Sequence, residues 1–214
     1  MAKSKKEKSI SDDLLRGNGM TLVEVVVAVS ILVIVMVAVA AFQYNVLDYN
    51  RSSQVALTNI QDAENILKYM SRELRTMSQS ANGSYPILSA ATSSLAFFSD
   101  LSGDGTKTQV RYYVASTTLC RGITAPAGSP PTYNLVNEKT SIIASGVRNG
   151  TSTTLFEYFD DLYDGNSPAL TYPLTISAIR LVKINITIDS DQKKSPLPIT
   201  FSTQVSLRNL KDNL

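Results

Sequence analysis

Polar and apolar positions follow three successive patterns along the chain. Residues 1–19 are mostly polar and lysine-rich. From Val25 to Phe42 every residue is apolar except Ser30. Eighteen helical residues at ~1.5 Å each span roughly 27 Å, close to the thickness of a bilayer core. Beyond Phe42 the apolar positions become periodic: Ile60, Ala63, Leu67, Met70, Leu74 and Met77 recur at spacings of three and four, the signature of one helical face. Glu64 and Lys68 form an i, i+4 pair elsewhere on that surface. Neither proline nor glycine interrupts Met20 to Asn82. The pattern predicts one helix from Met20 to about Gln79, closed by the turn signals of Ala81-Asn82-Gly83-Ser84-Tyr85-Pro86.

The third pattern alternates with a period of two. Val182, Ile184, Ile186 and Ile188 fall on one face of Leu181 to Ile188, opposite Lys183, Asn185 and Thr187. Ile199 to Arg208 repeats the alternation, so the two runs predict a long hairpin joined by the polar loop Asp189 to Pro198. Shorter strands are expected at Leu95 to Phe98, Gln109 to Ala115, Thr118 to Arg121, Ser141 to Ala144 and Thr154 to Phe159. Two loops, Gly122 to Pro131 and Asp160 to Pro173, punctuate them. The predicted fold class is α+β, with a long N-terminal helix, first membrane-spanning and then amphipathic, packed on an antiparallel β-sheet. The expected organisation is a leader at 1–19, a helix at 20–80 with its transmembrane half at 25–42, and a β-rich head at 81–214.

Composition narrows the chemistry. The leader carries Lys3, Lys5, Lys6, Lys8 and Arg16 against Glu7, Asp12 and Asp13. These cations hold the leader on the cytoplasmic side and place the head outside. Of 20 basic and 18 acidic residues in the chain, 15 of each remain beyond Gly19, so there is no global nucleic-acid signature. The chain has no histidine and one cysteine, Cys120, which excludes an intrachain disulfide, a Ser-His-Asp triad and histidine-ligated metal. Asp100, Ser102 and Asp104 alternate like the start of a calcium loop, but the twelfth position is Arg111 where a bidentate glutamate belongs. A turn explains the same Asp and Gly residues, and no cofactor is expected. Asp160, Asp161 and Asp164 read as solvated loop acids.

The junction Arg16-Gly17-Asn18-Gly19-Met20-Thr21-Leu22-Val23-Glu24 joins the leader to the apolar run. It resembles the processing site of type IV prepilins and of type II secretion pseudopilins. The resemblance implies cleavage after Gly19 by a membrane prepilin peptidase and N-methyltransferase, a methylated terminus at Met20 in place of the usual phenylalanine, and an assembly role for Glu24. An acid at a membrane helix costs ~2.5–3.5 kcal/mol at the bilayer centre, so a partner is expected for Glu24. The freed amine of Met20, from the same or a neighbouring subunit, is such a partner. A plain uncleaved signal anchor is one alternative, and an ordinary secretory signal is another, because Ala38-Val39-Ala40 before Ala41 has the small-residue spacing of its cleavage site.

Further strings point to a subgroup. Met70-Ser71-Arg72-Glu73-Leu74-Arg75, Phe97-Phe98-Ser99-Asp100, Val110-Arg111-Tyr112-Tyr113, Phe156-Glu157-Tyr158-Phe159 and Thr203-Gln204-Val205-Ser206 are ordered like those of J-type minor pseudopilins and related type IV minor pilins. The resemblance implies a non-enzymatic subunit, anchored in the inner membrane by lipid contact, that initiates or caps a filament. Its implied partners are other minor pilins or pseudopilins and an inner-membrane assembly platform. A major pilin and an anchored extracytoplasmic binding protein or enzyme are the alternatives.

Overall fold

The computed structural model describes residues 19–150, 153–189, 198–207 and 210. The leader cations, the hairpin loop at 190–197 and the strand end at Arg208 and Asn209 lie outside the described residues. The chain divides into two compact units, Met1–Asn50 and Arg51–Leu214. One helix, α1 (Leu22–Arg75), begins in the first unit and ends in the second.

In the first unit the helix carries apolar side chains on every side, and all of those from Leu22 to Phe42 are exposed. Ser30 keeps its hydroxyl within the helix by donating to the Val26 carbonyl at 2.7 Å. That bond lets one polar residue sit inside an apolar run.

In the second unit, α1 shows the single face that its spacing predicts. Ala63, Leu67, Met70 and Leu74 of that face are buried together with Ile66, Ile60 is half-buried, and Glu64 and Lys68 pair at 3.7 Å on the surface. The helix ends four residues earlier than the periodicity suggests. Thr76 and Met77 close the last turn through Glu73 and Leu74 carbonyls, and Ser78 N–H then donates to Phe98 at 2.9 Å. Met77 still reaches the core, from an extended bridge with Ser99 instead of from the helix.

Among the described residues, eight antiparallel strands form two sheets instead of one. The first has the sequential order β1 (Ile87–Ala90), β2 (Ser94–Ser99), β3 (Thr108–Ala115), β4 (Thr118–Thr124), β5 (Lys139–Ser145). The second is β6 (Phe156–Phe159), β7 (Leu181–Ile188), β8 (Ile199–Ser206). The short β1 was not expected, because Ile87-Leu88-Ser89-Ala90 is brief and follows a proline.

The segment after β5 stitches the sheets together. Val147 N–H donates to Thr117 beside β4 at 2.9 Å, and Val147 bridges Ile188 at the end of β7. Asn149 then bonds the Asn185 carbonyl at 2.7 Å and accepts from Thr187 N–H at 3.0 Å. The expected polar face of β7 is therefore partly buried at Asn185 and Thr187. A single core joins the helix face with Leu95, Phe97 and Tyr112 of the first sheet and Val182, Ile184 and Val205 of the second.

Candidate functional site

Helix start signals and local backbone geometry coincide at the junction. Gly19, Met20 and Thr21 are non-helical and exposed, and α1 opens at Leu22. Thr21 is the N-cap: its hydroxyl accepts the Glu24 amide at 3.3 Å, and its carbonyl accepts the Val25 amide at 3.1 Å. Thr21 and Glu24 have the spacing of a capping box, in which an acid three residues past a threonine cap also complements the positive end of the helix dipole. The Gly19–Met20 bond therefore lies just ahead of the cap, in exposed non-helical backbone. An ideal Cβ at Gly19 would meet nothing within 4 Å. The capping role of Thr21 was legible in the sequence but hidden behind the processing string that contains it.

The helix following this cap is long and apolar enough to cross a membrane.

Asp100, Ser102 and Asp104 lie in the turn between β2 and β3. Asp100 spends both carboxylate oxygens within the loop, accepting Gly103 N–H at 2.7 Å, Gly105 N–H at 2.9 Å and Lys107 Nζ at 3.3 Å. Burial pushes its carboxyl up, but these bonds together hold it below the usual carboxylate range. Asp104 accepts Thr106 N–H at 2.8 Å, which holds its pKa down in the same way. Gly103 and Gly105 adopt φ of 74° and 89°, the left-handed region glycine favours. Among the described residues no cluster of three potential ligands forms there. The turn's hydrogen bonds account for each acid and glycine in the string.

The sequence reading missed the most deeply placed charge pair. Glu73 of α1 is 6 % exposed and Arg121 of β4 is 8 % exposed. Arg121 donates its Nε to Glu73 Oε2 at 3.1 Å and a terminal nitrogen to Oε1, while the Tyr112 hydroxyl donates to Oε2 at 2.5 Å. Burial and then the Glu73 carboxylate push the Tyr112 phenol far above its ordinary range. Burial pulls the Arg121 guanidinium down, but the Glu73 bonds outweigh it and raise the group. This chemistry is structural: it fixes the end of α1 to β3 and β4. The available signal was Glu73 lying three residues after Met70, on the apolar face.

Residues 15–40 match the prokaryotic N-terminal methylation motif. That motif is the type IV pilin signal, so the chain is pilin-like in joining it to a long helix and antiparallel sheets. The motif is also the site at which a prepilin peptidase cuts and methylates. No curated protein matches the chain in sequence.

Proposed function

We propose that this chain is a minor pilin or pseudopilin, a non-enzymatic inner-membrane subunit that initiates or caps a type IV pilus-like or type II secretion filament. The observation that carries the reading is the junction itself. A non-helical Gly19–Met20 bond precedes a Thr21-capped helix, with Glu24 in its first turn and the apolar run from Val25 to Phe42 behind it. The peptidase removes the leader after Gly19 and methylates Met20. The apolar helix then leaves the lipid to bundle with helices of other subunits at an assembly platform, and the extracytoplasmic head makes the outer contacts. Glu24 pairs with a Met20 amine, because an uncompensated ammonium among apolar helices costs several kcal/mol.

Mass spectrometry of the membrane-extracted protein is expected to find a methylated terminus at Met20. A terminus at Ala41 would establish ordinary signal cleavage and defeat the reading. Glu24→Val is expected to insert and be processed normally yet fail to co-purify with other pilin-like subunits. Quantitative proteomics of sheared filaments is expected to find the chain far below the most abundant subunit, and dominance there would make it a major pilin.

A further inference from the structure

Three of the four edge strands in the two sheets are short or blunted. β1 has four residues and a register break between Ile87 and Ser89. β6 has four residues. β5 carries Lys139 and faces a register break at Leu119 and Cys120 of β4. The fourth, β8, has eight residues in unbroken register with β7 and contains no proline, lysine or arginine. Long regular edges without such devices invite another strand.

The hydrogen-bond phase of β7 shows which groups the β8 edge offers. Asn185 N–H donates to Leu155, the Thr187 carbonyl accepts Arg148 N–H, and Asp189 N–H donates to Gly146, so odd-numbered β7 residues turn away from β8. Ile184, Ile186 and Ile188 therefore bond Thr203, Phe201 and Ile199. The backbone N–H and C=O groups of Thr200, Ser202 and Gln204 then point outward from the sheet, with no backbone partner among the described residues.

A groove of about 520 Å³ runs along this edge, walled by β8 at Phe201 to Thr203 and by α1 at Glu64, Leu67, Lys68, Arg72 and Arg75. Lys68 is paired with Glu64, but Arg72 and Arg75 are exposed and have no carboxylate partner among the described residues. Cations in the last turn suit the helix dipole, yet that explains neither the groove nor the open edge beside it.

We infer that the β8 edge is a strand-addition site for an extended segment of a different polypeptide bearing acidic side chains at alternate positions. Main-chain bonds to Thr200, Ser202 and Gln204 supply the pairing. Carboxylates on one face of the added strand, ~7 Å apart, meet Arg72 and Arg75. A second copy of this chain is the wrong occupant, because pairing two β8 edges brings both copies' arginines together.

The test uses the full chain in detergent micelles and two fluorescent nine-residue peptides, one alternating glutamate with valine and threonine, the other with lysine for glutamate. The acidic peptide is expected to bind at least tenfold more tightly, and added salt to narrow the difference. The double variant Arg72→Glu, Arg75→Glu is expected to invert the preference. Ser202→Pro removes an outward N–H without touching the β7 ladder, and is expected to weaken acidic-peptide binding at least tenfold. If Ser202→Pro lowers the melting temperature, an acidic peptide N-methylated at alternate residues tests the same bonds on the unaltered protein. Failure of the acidic peptide to bind, equal binding of both peptides, or self-association abolished by Ser202→Pro would overturn the proposal. It stands apart from the filament reading, since Glu24→Val is expected to leave peptide binding unchanged.

Discussion

The two stretches of α1 share one unbroken backbone ladder and meet opposite solvation demands. From Leu22 to Phe42 apolar groups face every direction and are exposed. From Arg51 to Arg75 a single stripe is buried against the chain's own sheets, and the opposite side carries Glu64, Lys68 and Arg72. A helix apolar all round needs surroundings that its own unit does not supply, whereas a striped helix is completed by the domain it packs on. The contrast separates two sources of order. The first stretch is exposed and apolar all round, long enough to cross a membrane, and the second is ordered by the packing and buried polar pairing of the head.

Four measurements break or sharpen that contrast. The largest effect is expected at Glu73, where alanine strands the Arg121 guanidinium in the core and costs about 3–5 kcal/mol of head stability. Denaturant unfolding followed by tyrosine near-UV circular dichroism measures it. Replacing both partners with methionine is expected to restore much of the loss. Next, Leu74→Ala leaves a cavity at a residue 1 % exposed and is expected to cost about 2–5 kcal/mol. Leu32→Ala, in the exposed stretch, is expected to stay within ~0.5 kcal/mol in the same assay. Equal losses at the two leucines would dissolve the contrast.

A smaller effect belongs to the β2–β3 turn. Gly105 has φ of 89°, so Gly105→Ala is expected to cost about 1 kcal/mol by backbone strain. Calcium titration of the same protein is expected to leave its melting temperature unchanged. A calcium-dependent rise abolished by Asp100→Ala would restore the ion-loop reading.

The smallest effect is electrostatic. The Ser167 hydroxyl and the Asn166 and Ser167 amides hold the Asp164 carboxyl down at about 2, below its ordinary 3.8. A carboxylate held below its unfolded value contributes fully above pH ~4 and loses that contribution as pH falls towards ~2. The carboxyl shift of Asp164, followed by NMR titration, is expected to reach its midpoint near pH 2. A midpoint near 4 would show that the loop bonds do not form in solution.

Periodicity carried much of this architecture. Spacings of three and four placed Ala63, Leu67, Met70 and Leu74 in the core, and the run from Leu181 to Ile188 matches the bounds of β7, although Asn185 and Thr187 of its polar face are buried. Both signals are local, since each side chain's direction follows from the backbone repeat alone. At the candidate site, the Thr21 cap and the start of α1 are legible for a related reason. A helix cap and the apolar run behind it are consecutive in sequence.

Contacts between distant residues were not legible. Nothing near Val147 indicates that it bridges Ile188 and links the two sheets, because strand pairing depends on loop paths that alternation does not encode. Glu73 and Arg121 look like ordinary surface charges until a helix and a strand 48 residues apart enclose them. What could be read along the chain was a capped apolar helix and most of the strands that follow, because those depend on neighbouring residues. Only the folded chain shows which charges are buried, which strands share a sheet, and that among the described residues β8 is a long edge strand beside arginines with no carboxylate partner. Those depend on which surfaces fold together.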